Sequence, residues 1–529
     1  MDNNELTPQQ QLLVEKLENA DQEIDQLLPQ YSLGRKFQRP IYSRLSKTAT
    51  NFLTTGQGSE WIIMAGLRGV GKTTLLAQLY LHPKLKSATR FYLSLDQAQL
   101  LGAEMNDVIT ALEHKLGQPL TQTEEPIFVF LDEVHSLPKW SLAAKILHDR
   151  CPKLFLVCTS SSALALWTTP DIARRARFMR VSPLSLPEAI FINTANENDR
   201  WHNENIEEFI PNITLGSKIQ SALFDSENAY QVYSRIEMLK SEIDHYWKNR
   251  DANKDISNYI TSYETLPYAL NIKHSSNDRH NPDPETINEI RARIRQTLDK
   301  VYNHDLSIVG QFDQSTRHHF PSLLLWLANS GQQSLTKMAK RMSLNVRTLQ
   351  NMLEILVNSE VLIAVPPFGS TSGKIAKPYK YLFTAPAIRH ALNNPPRDQL
   401  QEAQLDQLRG FLLEDTVGFY MKQTFDNQPL GGLVEYDSSR EGADFIVMPS
   451  HIKKEAIAVE VGWRKRTSQQ VQATLKRIQS NRYGIVITDC NLKLDDSDQI
   501  VFVPMKIFLL MQPQEFSGAS SLNLNPPDN

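Results

Sequence analysis

The chain has 529 residues, 41% of them hydrophobic and 22% charged, with 56 Lys and Arg against 59 Asp and Glu for a formal net charge of −3. That length can bury several cores without disulfides or a structural metal, and the near-neutral balance excludes nucleic-acid binding through global positive charge, leaving only local basic patches. Three cysteines occur, Cys151, Cys158 and Cys490, none in a CxxC pair, which argues against a disulfide framework and a cysteine zinc site.

The polar, acidic start Met-Asp-Asn-Asn-Glu-Leu lacks the basic and apolar regions of a signal peptide. Apolar runs are strand-sized, far below the ~20 residues that span a bilayer, so a cytoplasmic location is expected. Residues 1–34 space Leu12, Leu13, Leu17, Ile24, Leu27 and Leu28 as one amphipathic helix. Over 35–190, runs of four or five apolar residues (Trp61–Ala65, Phe91–Leu95, Ile127–Leu131, Leu154–Cys158) alternate with helical stretches. That pattern predicts an α/β fold with a parallel sheet covered on both faces.

Residues 191–319 read as a helical region in which 200–255 looks like a polar insertion, with disordered loops at Asn193–Asn205 and Lys273–Asp283. Residues 320–395 show three helices, a Ser343-Leu344-Asn345 turn and two short apolar runs. This is a winged helix-turn-helix pattern. A smaller α/β domain is expected over 405–511 and a disordered tail over 512–529.

The strongest motif is Gly66-Leu67-Arg68-Gly69-Val70-Gly71-Lys72-Thr73-Thr74, which fits G-x-x-x-x-G-K-[ST] between an apolar run and a helical pattern. Such a loop aims successive N–H groups at phosphate oxygens, aided by the positive end of the following helix. Lys72 is then expected on the β- and γ-phosphates and Thr73 on magnesium. Ile127–Leu131 ends in Asp132-Glu133, where Asp132 would hold magnesium and Glu133 polarise the attacking water. Thr159-Ser160-Ser161-Ser162 ends the next apolar run and offers hydroxyls to the γ-phosphate or, equally, a helix N-cap. Arg174, Arg175 and Arg177 include a candidate arginine finger, acting in cis or towards a neighbouring subunit.

Phe130-Leu-Asp-Glu-Val-His135, the hydroxyl run, Arg175, Ser182-Pro-Leu-Ser-Leu-Pro-Glu-Ala189, Tyr259–Pro267, Gly410–Asp415 and Arg440–Asp444 together resemble a bacterial and archaeal family of AAA ATPases. Its members join an AAA core to a C-terminal domain of unknown function. The resemblance spans roughly residues 35–510, outside the proposed insertion, and implies ATP binding with slow hydrolysis. The chain departs from it in Ser160, where the family has Gly, and in Arg174, where a Gly precedes the arginine.

Glu414, Asp444 and Glu460 resemble the carboxylates of the PD-(D/E)xK restriction-endonuclease-like fold, where they bind magnesium beside a lysine. The matching lysine position here is Gly462, with Arg464 and Lys465 weak substitutes, so a degenerate site is favoured over a nuclease. Lys337, Lys340, Arg341, Arg347, Lys374, Lys377 and Lys380 give the winged-helix pattern a basic character suited to phosphate contacts. The expected ligands are ATP and magnesium. Double-stranded DNA and protein both remain candidate partners, the latter through a nucleotide-dependent switch with little turnover.

Overall fold

The computed structural model describes residues 6–511 apart from 30–34, 36, 57, 162–171, 173, 196–204, 262, 275–281, 306–313, 331–333, 370–376, 394–401, 427–432, 464–466, 496 and 498. Among the described residues, β1 (Glu60–Ala65), β2 (Thr89–Ser94), β3 (Ile127–Asp132), β4 (Leu154–Ser160) and β5 (Ala176–Arg180) form a parallel sheet in the order β2–β3–β4–β1–β5. The unbroken apolar runs of β3 and β4 are buried at every position because both faces are covered. One face packs Ile62, Phe128 and Phe155 against the helices Pro40–Thr55 and Lys72–Tyr80; the other packs Ile63, Val129 and Leu156 against Met105–Leu116 and Trp140–Arg150.

The N-terminal segment forms two helices rather than one, Pro8–Glu18 and Ala20–Leu27, separated at Asn19. The break lets Leu13 and Leu17 join the apolar cluster on one sheet face while Ile24 joins the other. A single rod could not reach both.

The described helices of the segment expected as an insertion pack into a core. Ala222, Leu223, Val232 and Ile236, from the helices Asn205–Phe224 and Ala229–Met238, share a cluster with Ile485 and Val501 of the C-terminal sheet. Tyr483 Oη donates to the Leu223 carbonyl at 2.6 Å and the Arg482 guanidinium to that of Phe224 at 3.2 Å. Most of the two loops expected to be disordered, and the whole 512–529 tail, lie outside the described residues.

In the 320–395 segment the helices His319–Asn329, Leu335–Arg341 and Val346–Asn358 precede an antiparallel hairpin of β6 (Leu362–Val365) and β7 (Lys380–Phe383). Leu349, Met352, Leu353 and Leu356 enter the same cluster as Ile62, Leu76 and Val181, so this segment is packed onto the parallel-sheet core. The C-terminal sheet has the order β12–β13–β11–β10–β9–β8, built from β8 (Leu433–Glu435), β9 (Phe445–Met448), β10 (Ile457–Gly462), β11 (Gly484–Thr488), β12 (Lys493–Leu494) and β13 (Ile500–Pro504). Strands β10, β11 and β13 run parallel, and the helix Glu402–Asp426 lies against β10, β7 and β8.

Candidate functional site

Residues 66–71 leave the carboxyl end of β1 and turn into the helix Lys72–Tyr80. A side chain at Gly66 would collide with the Val181 carbonyl, 2.1 Å from a Cβ there, and Gly69 adopts φ +90° with the Tyr268 ring 2.5 Å from its would-be Cβ. Only glycine satisfies both constraints. Leu67 and Val70 are buried anchors, and the Val70 carbonyl accepts from the buried Arg39 guanidinium at 3.1 Å. Arg39 also pairs with Glu188 at 2.9 Å, which fixes the loop to the start of the helix Leu186–Ala195. Thr74 lies in the first turn of the helix, beside the Lys72 and Thr73 amides.

Lys72 is buried, and its ammonium folds back onto its own loop, donating to the carbonyls of Gly66 at 2.9 Å and Leu67 at 3.2 Å. Burial lowers its pKa, Glu133 and Asp132 oppose that shift, and Arg68 adds to it. Thr73 Oγ1 donates to Asp132 Oδ2 at 2.9 Å across the gap between the helix and β3. Burial first, then the adjacent Glu133 carboxylate, pushes Asp132 up to about 6, against hydrogen bonds from Thr159 and Thr73. Thr159 at the end of β4 ties both acids together: its hydroxyl bonds to Asp132 Oδ1 and accepts the Glu133 N–H at 2.9 Å.

Glu133 sits in the left-handed region at φ 52°, a strained position for a residue with a side chain. Its Oε2 is buried 3.3 Å from His135 Nδ1 without hydrogen-bond geometry. His135 Nε2 in turn meets Ser161 Oγ at 3.2 Å, and Arg68 donates to that hydroxyl at 3.4 Å. A polar chain therefore runs from the P-loop to Glu133. The hydroxyl run was visible in sequence; His135 as the partner of Glu133 was not, because their contact depends on the left-handed turn between them.

The hard oxygens of Thr73 and Asp132 suit magnesium, which takes one or two protein carboxylates and completes its shell with phosphate and water. Among the described residues no group of three or more His, Cys, Asp or Glu could hold a metal ion.

Arg175 is not brought to this site. It precedes β5, whose Ala176 pairs with Trp61, while the loop leaves the other end of β1 after Ala65. The offset is about 13 Å of strand. There Arg175 Nε pairs with Asp149 at 2.6 Å, and Arg177 with Glu60 at 3.6 Å. Arg175 therefore does not reach the loop Gly66–Thr74 in this structure. Another arginine whose backbone stands beside the start of the loop is Arg180, paired in register with Ala65. Sequence reading passed over it because it lies in an ordinary strand end.

Glu414 of the helix Glu402–Asp426 and Asp444, just before β9, are also brought together, with an unexpected occupant. Lys380 of β7 reaches between them: its ammonium forms an ion pair with Glu414 and lies 3.2 Å from Asp444 Oδ1. Asp444 Oδ2 accepts the Val461 N–H at 3.0 Å, and Glu460 is buried on β10 nearby. Lys380 is therefore not a phosphate-contacting wing residue. Its charge is consumed by two carboxylates, and it lies against the Phe445 ring at 5.0 Å. Lys337, Lys340, Arg341 and Arg347 remain exposed, whereas Lys374, Arg464 and Lys465 lie outside the described residues.

Replacing Lys380 by Met should destabilise the protein at neutral pH by about 2 kcal/mol, less than a fully buried pair because Asp444 keeps some exposure. Burial already raises the Glu414 pKa, and Lys380 opposes that shift. Without the ammonium the folded-state value rises further above the unfolded one. The deficit should then grow as pH rises through the raised Glu414 value and shrink in acid, where Glu414 is protonated in both proteins. Urea melts at pH 5 and pH 8 test this; equal deficits at both would refute it.

Comparison with known proteins bears on the parallel-sheet core. Residues 58–190 match the family model of an AAA domain, in agreement with the P-loop and sheet order above. The matched segment holds the G-x-x-x-x-G-K-[ST] loop and the five-stranded parallel sheet of the α/β fold. The chain is 29% identical over 489 residues, 92% of its length and 91% of the other, to the uncharacterized protein MJ1637 of Methanocaldococcus jannaschii. Similar solved structures are the ORC2 protein of Aeropyrum pernix in ADPNP-ADP complexes and the RuvB Holliday junction branch migration motor of Thermotoga maritima. The first is 12% identical with a TM-score of 0.33 over 70% of this chain and 92% of that one. The second is 14% identical with a TM-score of 0.29 over 62% and 90%. No helix among the described residues is long and apolar enough to cross a membrane.

Proposed function

We propose that the chain binds ATP at Gly66–Thr74 and hydrolyses it to ADP and phosphate, and that nucleotide state is coupled to the 320–395 winged-helix segment acting on double-stranded DNA. The observation that carries the ATPase reading is the hydrogen-bonded chain Thr73–Asp132–Thr159–Glu133 beside Lys72. Magnesium, when bound, would neutralise phosphate charge beside Thr73 and Asp132. Lys72 would exchange its loop carbonyls for phosphate oxygens. Thr159 holds Asp132 and Glu133 in place, and Glu133 accepts a proton from the attacking water.

The DNA reading rests on a basic face. Lys337, Lys340 and Arg341 are exposed on one helix and Arg347 on the next, each away from the apolar stripe Leu349, Met352 and Leu356. Phosphate contacts from these side chains would position the helix Val346–Asn358 in a groove. Steady-state ATP hydrolysis with and without double-stranded DNA is the test, with Lys72→Ala as control. Turnover that depends on Lys72 and rises with DNA supports the reading, and turnover insensitive to DNA redirects the search to a protein partner. Lys337→Ala with Lys340→Ala should lower the slope of log affinity against log salt by about 2, roughly one per lost phosphate contact. An unchanged slope would remove this face from the DNA interface.

A further inference from the structure

The helix Val346–Asn358 ends in Glu360, which occupies a left-handed conformation at φ 58° and closes the helix through Glu360 N–H to the Val357 carbonyl at 2.9 Å and Val361 N–H to that of Leu356 at 3.0 Å. Three features of this position disfavour glutamate. Glycine is the usual residue there; a carboxylate opposes the negative end of the helix dipole; and the side chain is buried, the residue being 6% exposed. Its Oε1 accepts from Arg180 Nε at 2.9 Å. Its Oε2 is buried with no hydrogen-bond partner. Arg180 stands in register with Ala65, the residue before the P-loop, and Glu360 lies within electrostatic reach of Lys72. The winged-helix segment thus places a carboxylate, half satisfied, at the edge of the nucleotide site.

We propose that Glu360 is the residue through which nucleotide occupancy is transmitted to the winged-helix segment: it is held by Arg180 and the field of Lys72 when no nucleotide is bound, and is displaced when a triphosphate takes up those cations. A triphosphate brings several negative charges to Lys72 and competes for Arg180, so the docked Glu360 and the phosphate chain disfavour each other. Because coupling is reciprocal, ATP must loosen the end of the helix Val346–Asn358 by as much as Glu360 weakens ATP binding. This rests on the nucleotide site proposed above.

The test uses the full chain and magnesium-ATP, with calorimetric affinities and hydrogen exchange over Val346–Asn358. Glu360→Gln, isosteric and uncharged, should bind ATP roughly five- to fiftyfold more tightly. ATP should speed exchange in the last turn of that helix in the parent protein and leave it unchanged in the variant. Glu360→Gly, which suits the left-handed position, should reproduce the tighter binding and guards against misfolding of the first variant. Equal affinities with no ATP-dependent exchange would overturn the coupling, as would weaker binding in Glu360→Gln, which would make Glu360 a direct ligand contact. If the parent binds no ATP, or Lys72→Ala binds it equally well, the nucleotide site itself fails and the coupling with it.

Discussion

Glu133→Gln should lower ATP turnover at least a hundredfold while leaving ATP affinity within a few fold of the parent. The amide keeps the shape of the side chain and removes only its capacity to take a proton, and general-base assistance contributes about 10²–10⁴ in rate. The backbone supports a selective loss. Glu133 is fixed by its N–H to Thr159 and by a left-handed turn, neither of which involves the carboxylate. The loop Gly66–Thr74, proposed above to hold the phosphates, is untouched. Lys72→Ala should behave in the opposite sense, since it removes the one ammonium in the loop and weakens binding itself. Steady-state turnover read beside nucleotide affinity separates the two. If Glu133→Gln hydrolyses ATP at the parental rate, Glu133 is not the base, and the His135–Ser161 side of the site becomes the place to look for one.

Legibility in the sequence followed how local each determinant is. The P-loop was legible because its chemistry is written in consecutive residues, and the acids Asp132 and Glu133 because they end an apolar run that a buried parallel strand requires. The strands themselves were readable for the same reason. What was not readable involves residues distant in sequence. Lys380 looked like one basic residue among many in a wing, and nothing in its neighbours shows that Glu414 and Asp444 are waiting for it. Glu360 follows an unremarkable helix end, and its meaning depends on Arg180, which is 180 positions away. The helices over 205–238 fall in a region expected to be helical, but their packing against Ile485 and Val501 was not readable, because it joins residues far apart in sequence. Arg175 illustrates the converse: a motif position correct in order along the chain, but at the end of a parallel strand away from the loop.

The same principle makes Asp415 the position where a single substitution should cost most stability. It is fully buried in the helix Glu402–Asp426, and its Oδ1 accepts from the Phe383 N–H and from Arg389 Nη2, both at 2.9 Å, while Oδ2 takes Arg389 Nε at 2.5 Å. Arg389 is buried too. Its remaining nitrogen donates to the carbonyls of Leu327 and Ala328 at 2.9 and 3.1 Å, at the C-terminal end of the helix His319–Asn329, where orphan carbonyls favour a cation. One ion pair therefore joins the helix Glu402–Asp426, the β7 strand and the helix His319–Asn329. Removing one member leaves the other charged, buried and unpaired, which costs about 3–5 kcal/mol. Asp415→Ala should accordingly lower the thermal midpoint by roughly 3–5 °C for a chain of this length. Arg389→Met should cost a similar amount, because it strands both Asp415 and the two carbonyls. The combination Asp415→Leu with Arg389→Met should lose clearly less than the sum of the single changes, since no unpaired charge remains. Additive losses would mean that each side chain acts through packing alone. A loss below about 1 kcal/mol for Asp415→Ala would mean that water or a rearranged neighbour replaces the carboxylate, and that the two halves of the chain are held by their apolar cores rather than by this pair.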